Sequence, residues 1–239
     1  MSYAAPCPHD PLAQIRDDVF ISRGSIRLNP LVRITRNMVV LRHNDELTLV
    51  NPIRLSATGE EELKRLGNIR RIVRLGAMHG IDDPWYVDQF GAELWSQPGG
   101  SIYPEPPIDV ALDESTELPF PGAKLFMFRG TKEPECAMLL PASGSEPGLL
   151  LSCDGIQHYS DYSNNNFLAR IMLPFIGFPK RMLVGPIWLK IMTPDGASLR
   201  DEFERLHALD FDALFSAHGT FKASGAKAAV RRAIDLAFD

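Results

Sequence analysis

Three short apolar runs in this chain each stop on a histidine or an aspartate. Ile72-Val73-Arg74-Leu75-Gly76-Ala77-Met78 runs into His79, with Asp82 and Asp83 just beyond. Leu149-Leu150-Leu151-Ser152-Cys153 runs into Asp154, with His158 four residues on. Ala213-Leu214-Phe215-Ser216-Ala217 runs into His218-Gly219. Bounded apolar runs of this length read as buried strands. In open α/β sheets, binding sites collect at the carboxyl ends of strands. A core strand holds the terminal residue rigidly while the following loop leaves it accessible. Any one of the three, alone, reads as a hydrogen-bonding or packing residue, and it is their joint occurrence that points to a site.

The segments between these runs alternate in period. Val19 to Ile21 and Ile34 to Arg42 are strand-like, and Leu47 to Val50 returns after the polar turn His43 to Glu46, so a hairpin is expected. Asn51-Pro52 ends it, because proline cannot donate to a sheet ladder. Thr58 with Glu61 fits a capping box, and the helix it predicts ends near Leu66-Gly67. Ile69 to Leu75 follows as a strand. Strand, helix and strand in succession mark an α/β architecture. Asp82-Asp83-Pro84 also suits the start of a helix running to Phe90, since Asp caps and Pro opens helices.

Glu93 to Trp95, Lys124 to Arg129 and Cys136 to Leu140 are further strand candidates. The proline-rich acidic stretch Gln97 to Pro121 reads as an ordered excursion. Lys222 to Phe238 closes the chain as a helix, with Ala226, Ala229, Val230 and Ile234 at helical spacing. Residues 164–198 differ: Phe167 to Leu173 and Pro186 to Met192 are apolar and helix-compatible, broken by Pro174, Gly177 and Pro179. They are expected as a helical insertion packed on the core, or as a lid or self-association surface that admits a homodimer.

The chain has 239 residues, 45% of them hydrophobic, enough for a sizeable core. Its formal charge of −5, with both signs dispersed, argues against a nucleic-acid surface, which needs clustered Lys and Arg. No run reaches the ~18–20 apolar residues of a membrane span. Met1 to Asp10 is short, polar and lacks an apolar run, so no secretory leader is expected. Cys7, Cys136 and Cys153 form no paired motif, which suits reduced thiols and a cytoplasmic protein. A Gly-x-Ser-x-Gly elbow is absent, as are the glycine-rich phosphate loops. Imidazole and carboxylate groups at such strand ends suit zinc, manganese or iron better than copper(I), and a small-molecule substrate is expected.

The order of these elements resembles the metallo-β-lactamase superfamily, over roughly residues 19–236. Phe215-Ser216-Ala217-His218-Gly219 is similar to that family's late His-Gly segment, and Leu149 to Asp154 to the strand that delivers its bridging Asp. Asn51 stands where the early strand usually ends in Asp. The family's His-x-His-x-Asp-His motif is matched at His79 alone: Ala77 falls on its first His, Ile81 on its Asp and Asp82 on its last His. The resemblance implies one domain over residues 1–239 with the α/β (α+β) architecture of a four-layer αββα sandwich. It implies one divalent metal ion, zinc first and iron or manganese next, or none. His79, Asp83, Asp154 and His218 would be its ligands, with Asp82 or His158 as general base or as an orienting group. The activity implied is hydrolysis of a small ester, lactone or thioester. The alternative is a metal-free domain of the same fold that binds a metabolite or partner, and a metal-bound redox enzyme is a third reading.

Overall fold

The computed structural model describes residues 3–239, so Met1 and Ser2 of the polar N-terminal segment lie outside it. Strands β1 (Ala13–Arg16), β2 (Val19–Arg27), β3 (Arg33–His43) and β4 (Glu46–Val50) form an antiparallel meander. Asn44 and Asp45 turn the β3–β4 hairpin in the left-handed region that this turn requires. Helix α1 (Ala57–Leu66) then crosses over, and β5 (Asn68–Arg74) lies parallel to β4. The cap of α1 is Ser56, which accepts from Gly59 N, and not Thr58. Its Oγ is further fixed by His9 Nε2 at 3.0 Å, a contact from outside the local sequence.

Helix α2 (Asp83–Phe90), β6 (Glu93–Ser96) and β7 (Val110–Ala111) complete the first sheet of seven strands in chain order. The stretch expected as an excursion therefore packs in part, and its own Leu112 and Leu118 enter the core. The second sheet takes β8 (Lys124–Met127), β9 (Cys136–Leu140) and β10 (Leu149–Ser152). A two-stranded ribbon, β11 (Ile156–His158) and β12 (Met182–Val184), brackets α3 (Phe167–Phe175). Helices α4 (Pro186–Met192) and α5 (Arg200–His207) lead to β13 (Ala213–Ser216), which pairs with β10 in parallel. Helix α6 (Ala226–Phe238) ends the chain, starting at the first of its spaced apolar residues and four residues after the expected Lys222, behind Gly225 in a left-handed conformation.

Successive strand residues point to opposite faces, and this parity separates three cores, beside a fourth, smaller cluster of Tyr159, Tyr162, Leu173, Phe178 and Leu183 under α3. Val39, Leu41, Leu149, Leu151 and Phe215 meet between the sheets. Met38, Val40, Leu49 and Ile72 face α1 and α2 through Leu63 and Tyr86. Leu150 and Leu214 face α4, α5 and α6 through Trp188, Phe203 and Ile234. The layers are thus helix, sheet, sheet, helix. Among the described residues no helix is long and apolar enough to cross a membrane.

Candidate metal centre

The parallel pairing of β10 and β13 explains how two of the three strand ends meet. Ser152 lies opposite Ser216, so Asp154 and His218 each sit two residues past the same rung. The third end comes from the other sheet. After β5, Leu75 N donates to Asn51 Oδ1 at 2.9 Å, and a turn closed by His79 N on Gly76 O brings His79 inward. Backbone bonds then join the sheets at this end: Cys136 N to Leu75 O at 2.7 Å and Asn37 N to Ala217 O at 2.8 Å.

The result is a compact trio. His79 Nε2 lies 3.1 Å from Asp154 Oδ2, and His218 Nε2 lies 2.9 Å from Asp154 Oδ1. The two rings are 5.1 Å apart between centroids and steeply inclined. Their ligand atoms all fall within 4.8 Å of one another. Burial drives the His79 imidazole below its usual pKa, against the pull of Asp154. Burial alone would raise Asp154, yet the two imidazoles beside it hold its carboxyl well below the usual carboxylate range.

The ring of His218 is oriented by strand β3. Its Nδ1 sits 2.5 Å from the Thr35 carbonyl, which can only accept, so the proton is on Nδ1. A neutral His218 then presents a bare lone pair from Nε2 toward a carboxylate oxygen. Two arrangements satisfy that contact: a second proton on the ring, or a cation shared by both atoms. Zinc bonds N and O ligands at about 2.0–2.2 Å in a tetrahedron, so neighbouring ligand atoms lie about 3.4 Å apart. The observed 2.9 and 3.1 Å are a few tenths of an ångström tighter, so an ion would spread the trio slightly on binding. His79 Nδ1 is buried with no hydrogen-bond partner among the described residues.

The other residues expected at the site point elsewhere. Asp82 faces Arg36 at 3.3 Å and Asp83 faces Arg74 at 3.5 Å, so neither joins the trio. Asp83, expected as a fourth ligand, is fully buried at the start of α2, and burial pushes its carboxyl up to about 7 against the pull of Arg74. His158 is half-buried on β11, where its Nδ1 contacts the Thr220 carbonyl at 3.1 Å and burial lowers its pKa. It braces the His218 loop from behind, since Thr220 N donates to its carbonyl.

Three residues at this end were not anticipated. Arg36, inside the apolar β3 run, is buried and donates to the His79 carbonyl at 2.8 Å. Thr35 next to it also accepts from Gly219 N through Oγ1 at 3.0 Å. Glu135 is buried beside Asp154, and its oxygens accept from Gly155 N and Trp188 Nε1, both at 2.7 Å. Burial, and then the negative charge of Asp154, raise its pKa well above normal. The signal for Glu135 was an acid between Pro134 and an apolar strand, where no solvated turn continues. The trio and Arg36 line one end of a cavity of about 410 Å³.

Neither a protein-family model nor a curated protein matches the chain. Solved structures do. A metallo-β-lactamase from Erythrobacter litoralis aligns at TM-score 0.61 and 17% identity, over 95% of this chain and 91% of that one. One from Hirschia baltica aligns at TM-score 0.64 and 13% identity, over 97% and 98%. This is the metallo-β-lactamase fold. The metallo-β-lactamase FIM-1 from Pseudomonas aeruginosa, solved in a mono-zinc form, aligns at TM-score 0.64 and 11% identity over 99% and 98% of the two chains. The likeness runs through nearly the whole length of the chain; residues 164–198 hold α3, β12 and α4.

Proposed function

We propose that the chain is a hydrolase that uses one divalent metal ion, held by His79, Asp154 and His218, to cleave an ester, lactone or thioester. The observation that carries this reading is the convergence of two imidazole Nε2 atoms on the two oxygens of one ionised, buried carboxylate, with the His218 proton committed to Thr35. Two imidazoles and a carboxylate are a ligand set for zinc or iron. Such an ion supplies Lewis acidity, polarising a carbonyl oxygen and making water nucleophilic near neutral pH. The chain's own groups do the rest. Thr35 fixes the tautomer of His218, as partners of metal-bound histidines do. Arg36 holds the backbone of His79 and adds a positive charge to the cavity wall. The apolar remainder of the cavity excludes water and so strengthens the electrostatics of the polar end.

The test is elemental analysis of protein purified without chelator or histidine tag, beside a His79→Ala, His218→Ala double variant. The expected result is near-stoichiometric zinc, iron or manganese in the wild type, lost from the variant. Chelation should then lower the melting temperature of the wild type alone, because a ligand bound to the native state stabilises it by mass action. Protein that stays metal-free after incubation with each ion would sink the hydrolase reading. The lone-pair contact would then belong to a doubly protonated His218, in a domain that binds a metabolite.

A further inference from the structure

The cavity above the trio is chemically lopsided. Most of its polar groups are the His79–Asp154–His218 trio, Arg36, Gln157 and Tyr159, with Asn29 of the β2–β3 hairpin as one more beside Leu28. Away from the trio the walls are aliphatic: Ile26 and Ile34 from the β2–β3 hairpin, Ala169 and Leu173 from α3, and Phe178 behind them. The mouth is aliphatic as well. Leu28, Met172, Ile176 and Ile187 line it while remaining between 37% and 58% exposed. Exposed side chains of this kind, converging from a hairpin and two helices onto one opening, mark a binding groove. A polar substrate body would lose its hydration here without gaining hydrogen bonds, which is unfavourable.

We propose that this cavity is an acyl-chain site, and that the substrate is an aliphatic acyl ester or thioester with its carbonyl at the trio. The substrate class rests on the hydrolase reading above, while the chain site itself rests on the cavity walls. At ~30 Å³ per water-sized group, 410 Å³ has room for roughly a dozen heavy atoms, enough to take a chain such as a decanoyl group. In the reaction, water adds its oxygen to the acyl carbon and the C–O or C–S bond breaks. The fatty acid keeps the added oxygen, and the departing alcohol or thiol takes up a proton. Each methylene buried strengthens binding by roughly fourfold.

The experiment measures binding and turnover separately. Decanoate and butyrate, both below their micelle concentrations so that single chains are read, are titrated into wild type, Met172→Asp and Ile187→Asp by calorimetry. Decanoate, six methylenes longer at roughly fourfold each, should bind up to about 4,000-fold more tightly than butyrate. Each mouth variant should lose at least tenfold for decanoate while melting as the wild type does without ligand. The paired substitutions guard against one of them misfolding. Equal affinity for the two acids, or variants that bind like wild type, would overturn the acyl-chain site. In parallel, kcat/KM is compared for p-nitrophenyl butyrate and decanoate with metal-loaded protein, and a rise toward decanoate supports the proposal. Metal-dependent cleavage without chain-length preference would overturn it and leave the hydrolase intact. Chain-selective binding by protein that holds no metal and cleaves neither ester would support the chain site and remove the hydrolase.

Discussion

At the scale of single residues, Asp83 offers a pH signature separate from the trio. Neither of its carboxylate oxygens accepts a hydrogen bond among the described residues, and Arg74 stands 3.5 Å away. Burial outweighs that ion pair and raises the carboxyl to about 7, against about 3.9 in an unfolded chain. Between those values the native state binds a proton that the unfolded state has released, so stability falls as pH rises from about 4 to 7. Asp83→Asn should flatten that fall by about 2.5 kcal/mol between pH 5 and pH 8, read by urea unfolding of both proteins at those two values. A variant whose stability follows the same pH slope as wild type would show that Asp83 is ionised throughout. Glu135 supplies a second residue-level expectation. Glu135→Ala leaves the Trp188 and Gly155 donors buried without partners, at about 1–3 kcal/mol each. Denaturant unfolding should register a loss of at least 2 kcal/mol, and Glu135→Gln should lose less because one acceptor remains.

At the scale of elements, the site depends on how the loop after β13 is held. Gly219 has φ 83°, and a Cβ there would meet the His158 carbonyl oxygen at 2.1 Å. Backbone cannot give way as a flexible side chain would, so the loop would have to move, carrying His218 with it. Gly219→Ala should therefore cost about 2 kcal/mol or more. It should also reduce metal content, although it changes no ligand. A variant with wild-type melting and full metal loading would refute this view of the loop. The start of α1 is an independent control far from the trio. Ser56→Ala removes the cap on Gly59 and the contact with His9, and thermal unfolding should show a loss of about 1 kcal/mol with metal content unchanged.

For the molecule as a whole, the division into three cores decides which substitutions disturb the site. Leu150 and Leu151 are neighbours in β10, yet Leu151 packs between the sheets and Leu150 packs under α4, α5 and α6. Leu150→Ala should cost about 2–5 kcal/mol, the range for emptying a buried leucine position. The strands that deliver Asp154 and His218 bury this same face against Trp188, whose Nε1 donates to Glu135. Loss of packing in the outer helical layer should thus be felt at the candidate metal centre, as a faster exchange of metal from the loaded protein into a chelating dye. An unchanged exchange rate in Leu150→Ala would mean that the layer supports stability alone.

Much of this was written locally along the chain. The apolar runs ending at His79, Asp154 and His218, the hairpin at Asn44-Asp45 and the β4–α1–β5 crossover follow from side-chain period and from turn chemistry, which act over a few residues. Other features were closed to such a reading. Strands apolar on both faces, such as Leu149 to Leu151, carry no alternation that says which residue meets which core. Asp82 and Asp83 are equivalent in sequence to any pair of ligands after a strand, and only the packing of Arg36 and Arg74 against them turns both away from the trio. Arg36 looked like one polar residue in an apolar strand, and Glu135 like part of a charged turn. Their partners lie on other elements: His79 and Asp82 for Arg36, Gly155 and Trp188 for Glu135. The chain's local pattern therefore determined the strands and the residues at their ends. Which of those residues share one carboxylate was decided by the parallel register of β10 with β13 and by the meeting of two sheets, because hydrogen bonds and burial act between elements far apart in the chain.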